Sequence, residues 1–347
     1  MKAAVYHGPR DIRVEDVPDA TIREPTDALV RVTHACICGS DLWPYRGDLE
    51  IYGRPGRTGH EFMGVVEAVG AEVRTVRPGQ RVIAPFAYSD GTCDRCRAQL
   101  QTSCRTGGYW GGLDDGGQGE AVRCPLADGT LVPLPGDADL SDPRLAAALA
   151  TLTDVMGTGH HGALCAGVSA GDTVVVVGDG AVGLCAVLAA RRLGAERIIA
   201  LGHHEHRLGL ARSFGATDVV TERDRAAVGR VRDLTGGGAE HVIEAVGTAG
   251  SFATAIGCAV PGGTVGHVGV PAEPVNLLDV HGRNVRLIGG VAPVRAYIPD
   301  LLTDILAGDL DPSPVLDLRV PLDEVPEGYA AMDERRALKV LVEVGTA

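Results

Sequence analysis

No apolar run in this 347-residue chain approaches the roughly 18 residues that a membrane-spanning helix needs. The opening stretch MKAAVYHGPRDIRVED lacks the apolar core of a secretory signal and reads as the start of a strand. Together these suggest a soluble, cytoplasmic protein with no membrane partner. The chain also lacks a basic cluster, and its net charge is −13. Phosphate backbones need a basic surface, so nucleic acid is excluded as a partner. There is no internal repeat, low-complexity tract or long linker.

What is present points to two domains. The length exceeds what one hydrophobic core usually serves, and 45% of the residues are hydrophobic. The 48 glycines follow no three-residue period and fall at the ends of apolar runs. Nine cysteines in a long chain of this kind favour metal binding or catalysis over disulfides.

Residues 1 to about 135 read as all-β, with β-branched runs at 28–37, 62–70 and 81–85 punctuated by Gly, Pro and Asp. At SDPRLAAALA (141–150) the character changes to a helix, capped by Ser141 or Asp142 and opened by Pro143. From residue 172 strands and helices alternate. TVVVVG (173–178), RIIALG (197–202), DVV (218–220), HVIEAVG (241–247) and TVGHVG (264–269) are strand-like. The segments between them, including those near 224–234 and 250–259, are helical. This βαβ succession predicts a doubly wound parallel sheet, hence an α/β fold. A strand at 287–290, helices near 296–307 and 322–333 and a strand at 338–344 complete the chain.

GDGAVG places Gly178, Gly180 and Gly183 in the spacing G-x-G-x-x-G, after a strand of valines and at the head of a helix begun by Ala181 and Val182. That context reads as a dinucleotide site, with the pyrophosphate at the helix N-terminus. An NAD site usually carries Asp or Glu about twenty residues on, at the end of the second strand. Here that position is Gly202. His203, His204 and Arg207 follow and could donate to a 2′-phosphate, which favours NADP(H). Glu205 keeps NAD possible if its side chain turns inward.

CGSD (38–41) and GHE (59–61) offer a thiolate and an imidazole. Asp154, in LTDVMGTGHHGA, lies where the β-rich part meets the nucleotide-binding part. Cys38, His60 and Asp154 make a charge-balanced set for Zn²⁺ with a fourth position open, as catalytic zinc requires. A second cluster, SDGTCDRCRAQLQTSC (89–104), has three ligand-like cysteines where a closed zinc site wants four donors.

These motifs, in this order, resemble the medium-chain zinc-dependent alcohol dehydrogenases over essentially the whole chain. The matching features are CGSD, GHE, the cysteine lobe, TDVMGTGHHGA, GDGAVG and RRALKVLVE. The resemblance implies a β-rich GroES-like catalytic domain, about 1–154 completed by 294–347, and a Rossmann coenzyme domain, about 155–293, with the active site in the cleft between them. It implies that Cys38, His60 and Asp154 hold zinc, that Glu61 approaches the metal or serves as a charge partner beneath it, and that Ser40 passes the substrate proton. Where some members continue the relay with a histidine, this chain has Trp43, which cannot relay a proton. Trp43 and Trp110 resemble pocket aromatics, and Lys339 resembles a basic residue that reaches the coenzyme phosphates. The family's lobe spacing puts Asp90 in the register of the first cysteine. A structural zinc on Asp90, Cys93, Cys96 and Cys104 is therefore expected. Cys36, Cys124, Cys165, Cys185 and Cys258 read as small buried residues.

The implied activity is reversible hydride transfer between an alcohol and its aldehyde or ketone, with NADP or NAD, by a homodimer or homotetramer. A zinc-free NADPH-dependent quinone or enone reductase of the same fold is the alternative. A non-catalytic nucleotide-binding protein is a more distant one.

Overall fold

A computed structural model of the chain describes residues 1–48, 56–111, 115–136, 138, 140–271 and 273–345. The chain divides into two compact units. One is Met1–Asp154 with Pro293–Ala347, and the other is Val155–Ala292.

The first unit is built on a mixed sheet. Its strands run in the order Val132–Pro133, Arg81–Ala84, Glu61–Val69, Ala28–Ile37, Val340–Glu343 and Leu318–Pro321. Register fixes what stands at one end of it. Cys36 lies opposite Glu61 on one side of the central strand, and Ile37 lies opposite Val340 on the other. Cys38, His60 and Lys339 each flank one of those residues, so three sequence-distant polar groups meet at one sheet end. The face beneath is a packed apolar core that includes Val30, Val32, Ile37, Phe62, Trp110, Tyr329 and Val340. Short helices interrupt the stretch read as all-β. One of them, Leu42–Arg46, follows a 3₁₀ turn at Gly39–Asp41.

Pro143–Ala150 is the helix that its sequence announces. The Asp142 side chain caps it by accepting from the Arg144 N–H, and Pro143 occupies the first position, where its missing N–H costs nothing.

The second unit is a six-stranded, all-parallel sheet. Its order is Asp218–Val220, Arg197–Leu201, Thr173–Val177, Ala239–Glu244, Ala259–His267 and Arg286–Gly289. The order doubles back about Thr173–Val177, which creates the switch point where such sheets bind ligands. The valines of that strand are buried, as a central parallel strand requires. The helices expected near 224–234 and 250–259 are Asp224–Thr235 and Ala249–Cys258. A helix at Leu277–Arg283, capped by Asn276, had no periodic apolar signal to announce it, and none of its residues is buried. Among the described residues no helix is long and apolar enough to cross a membrane.

Candidate active site and coenzyme cradle

Donor atoms of Cys38, His60, Glu61 and Asp154 all lie within 4.8 Å of one another. Asp154 Oδ2 is 3.5 Å from Cys38 Sγ and 3.5 Å from His60 Nε2. Donors that share one zinc at bond lengths near 2.0–2.3 Å stand roughly 3.3–3.8 Å apart, so the spacing fits the ion.

The supports of this cluster are as specific as its donors. Asp41 is buried. One of its oxygens accepts from the Cys38 N–H at 2.9 Å, and the other lies 3.2 Å from His60 Nδ1. That contact ties Nδ1 and turns Nε2 toward Asp154 and Cys38, the arrangement by which a carboxylate orients a metal-binding imidazole. The role of Asp41 was missed in the sequence, where it is simply the last letter of CGSD. Glu61 is fully buried, and the Lys339 ammonium lies 2.8 and 2.6 Å from its two oxygens. Lys339 also donates to the Ile37 carbonyl at 3.2 Å. This corrects the expectation that Lys339 reaches the coenzyme phosphates, because its ammonium is spent on a buried carboxylate. Glu61 is thus paired with Lys339, and it also offers a carboxylate oxygen within the donor cluster.

Burial, followed by the charges of Glu61 and Asp154, raises the Cys38 thiol above its ordinary range. Burial opposes the charged form of His60, yet Asp41 and Asp154 hold its pKa well above that of a free imidazole. A divalent cation reverses both preferences, since it favours thiolate and neutral imidazole. The donor set is therefore matched to a cation.

Ser40 lies half-buried in the turn after Cys38, and Trp43 is half-buried in the helix that follows. Trp110 is no pocket residue. It is 3% exposed, its Nε1 donates to the Pro85 carbonyl at 2.8 Å, and its ring meets Phe62 and Tyr88 edge-on. The aromatic beside the cluster is Phe86, edge-on to His60 at 6.3 Å and stacked on the exposed Tyr109 at 6.2 Å.

In the cysteine lobe, donor atoms of Asp90, Cys93, Cys96 and Cys104 also lie within 4.8 Å of one another. Cys93 Sγ is 3.6 Å from Cys96 Sγ and 3.9 Å from Cys104 Sγ. Sulfurs at two corners of a zinc tetrahedron stand about 3.8 Å apart. Asp90 accepts from the Thr92 and Cys93 N–H groups and from the Thr106 hydroxyl. Against the effect of partial burial, these bonds hold its carboxyl well below the usual carboxylate range. Burial, then the neighbouring Cys104 and Cys93, push the Cys96 thiol up to about 12. A set of one firm carboxylate and three crowded thiols fits zinc.

Of the remaining cysteines, Cys36, Cys124, Cys185 and Cys258 are buried as expected. Cys165 is only partly buried, with its Sγ 3.4 Å from His161 Nε2.

In the second unit, Gly178 turns with φ +123°, a conformation that favours glycine. A Cβ on Gly183 would run into the Gly178 carbonyl, whereas one on Gly180 would meet nothing within 4 Å. Protein packing thus demands glycine at 183. At 180 the side chain would fill open space at the N-terminus of helix Ala181–Arg192, a space suited to a pyrophosphate. Gly202, His203 and His204 follow strand Arg197–Leu201, and Arg207 lies in helix Glu205–Phe214. Glu205 turns outward to Arg212, 3.5 Å away. Asp179, unremarked in the sequence, accepts from this loop.

Comparison with known proteins agrees with this architecture. Residues 24–136 match the alcohol dehydrogenase GroES-like domain, and residues 181–306 match the zinc-binding dehydrogenase domain. A zinc-type alcohol dehydrogenase-like protein of Bacillus subtilis (strain 168) is 33% identical over 96% of this chain and 97% of its own. An alcohol dehydrogenase of Cupriavidus necator (strain H16) is 34% identical over 99% of this chain and 98% of its own. The structure of an alcohol dehydrogenase from Thermus sp. ATN1 superposes with a TM-score of 0.89 at 35% identity, covering 99% of this chain and all of that one. The chain belongs to the medium-chain, zinc-type alcohol dehydrogenase family of oxidoreductases.

Proposed function

We propose that this protein is a zinc-dependent alcohol dehydrogenase that interconverts a small alcohol and its aldehyde or ketone, with NADP(H) preferred over NAD(H). The observation that carries this is the convergence of Cys38, His60 and Asp154 with Asp41 fixing the imidazole. Zinc supplies Lewis-acid polarisation of a substrate oxygen, and the nicotinamide supplies the hydride acceptor or donor.

The chain's residues do the rest. Cys38, His60 and Asp154 hold the metal, while Glu61 and Lys339 neutralise each other beneath it. Ser40, two residues past Cys38, holds and passes the substrate proton, and Trp43 ends any side-chain relay beyond it. Trp43, Phe86 and Tyr109 supply apolar surface for the substrate. Gly178, Gly180, Ala181, Val182 and Gly183 receive the pyrophosphate. His203, His204 and Arg207 receive the 2′-phosphate, a reading supported by Gly202 and by the outward turn of Glu205. A second zinc is held by Asp90, Cys93, Cys96 and Cys104. Assembly as a homodimer or homotetramer goes with the family reading.

The test is turnover of an alcohol and carbonyl panel with NADP(H), before and after exposure to a strong chelator, with coenzyme binding measured in parallel. Turnover should vanish on chelation and return with Zn²⁺ while coenzyme binding persists. Turnover indifferent to chelation would assign the protein to the zinc-free reductases. Binding with no turnover on any substrate would leave a non-catalytic protein.

A further inference from the structure

The carboxylate that usually ends the second strand of a dinucleotide fold is missing from residue 202, yet the space beside that residue holds a carboxylate. A Cβ on Gly202 would lie 2.5 Å from Asp179 Cβ and 2.6 Å from Asp179 Oδ2. Asp179 comes from the glycine loop, 23 positions earlier, and its side chain fills the room that a side chain at 202 would need. Its Oδ2 is heavily used. The His203 N–H donates to it at 2.7 Å, the His204 N–H at 3.0 Å, and His204 Nδ1 lies 2.9 Å away. Its Oδ1 lies 3.9 Å from an Arg207 guanidinium nitrogen. With 12% of its side chain exposed, Asp179 spends its charge on the loop that follows.

We propose that Asp179 is a positioning residue for coenzyme choice. It pins the turn after the second strand so that His204 and Arg207 present cationic or donor groups to a coenzyme 2′-phosphate. This rests on the coenzyme reading above. With His204 Nδ1–H spent on Asp179, the ring presents Nε2 outward, which donates to a phosphate in the imidazolium form. His203 is set in the same way, its Nδ1 3.1 Å from the Thr221 carbonyl. The remaining charges near the loop do not compete for these rings. Glu205 pairs with Arg212, and Glu222 accepts from the Thr221 N–H. The same geometry makes Gly202→Asp a poor probe of specificity, since a second carboxylate would collide with Asp179.

The test is binary binding of NADPH and NADH, by coenzyme fluorescence, to the intact protein and to Asp179→Asn, His204→Ala and the double variant. Asp179→Asn keeps the side-chain shape, and His204→Ala trims a partly exposed ring, so one guards against misfolding of the other. Each single change should weaken NADPH about tenfold, the scale of one charge-assisted hydrogen bond, and NADH by less than about threefold. The double variant should lose little more than either single one, because the two residues act as a unit. Loss of NADH with NADPH unchanged or tighter would make Asp179 itself a ribose-binding acid and overturn the proposal. Equal loss of both coenzymes, or unchanged NADPH binding in His204→Ala, would also overturn it. Failure of the unaltered protein to bind either coenzyme would instead remove the coenzyme reading, and the proposal with it.

Discussion

The two donor clusters of the first unit share thiol and carboxylate donors, the first adding an imidazole and the second two further thiols, and they differ in what surrounds them. Cys38, His60 and Asp154 stand at a sheet end over buried supports. Asp41 orients the imidazole, and the Glu61–Lys339 pair sits fully enclosed beneath. Asp90, Cys93, Cys96 and Cys104 are carried by a loop and one short helix, and three of the four are partly exposed. Their supports are local backbone N–H groups and one threonine. The first arrangement brings Cys38, His60 and Asp154 together beside a Glu61 already paired with Lys339, and in the function proposed above it leaves a fourth position for substrate. The second closes four donors on themselves and ties a loop. The shells behind the ligands, as well as the ligands themselves, set the two clusters apart.

That comparison is sharpened first at Lys339. Lys339→Met leaves the Glu61 charge buried and unpaired, and chemical denaturation should show a loss of about 3–5 kcal/mol, partly recovered when Glu61→Gln is added. A fully tolerated single variant would mean that the pair is no support. Next, Asp154→Asn should cut turnover by more than about a hundredfold, beyond the loss expected for an outer partner, with coenzyme binding intact. Asp41→Asn should cost about 10–100-fold in activity or in zinc affinity, the usual effect of disturbing such a partner. Trp110→Phe removes one buried hydrogen bond. It should cost about 1 kcal/mol of stability with kcat and KM unchanged, and a changed KM would return Trp110 to the substrate pocket. The lobe, too, should act on stability rather than on chemistry. Cys104→Ser should lower the melting temperature yet leave kcat near that of the parent at 25 °C.

What the sequence made legible was whatever depends on spacing along the chain. GDGAVG, CGSD, GHE and the cysteine lobe are local patterns, and in the structure the donor atoms of Cys38, His60 and Asp154 stand together, as do those of the lobe. The parallel sheet was legible because buried strands and amphipathic helices alternate. What was not legible depends on the direction of a side chain or on a contact between distant segments. Trp110 lies in a strand-rich stretch where its neighbours decide whether it faces a core or a cleft. Lys339 and Glu61 meet only because two strands flank Ala28–Ile37 in a particular register. Asp179 reads as a spacer inside a glycine motif until the fold sets it against Gly202. Helix Leu277–Arg283 is short and only partly buries Val280 against the core, so no sustained apolar period announced it.

The most direct test of the account is zinc content per subunit in protein purified without chelator, measured on the parent chain and on Asp154→Asn and Cys104→Ser. About two zincs are expected in the parent and about one in each variant, since each change opens a different tetrahedron. Near-zero zinc in a parent that still turns over NADPH would contradict it, because neither cluster would then be a metal site.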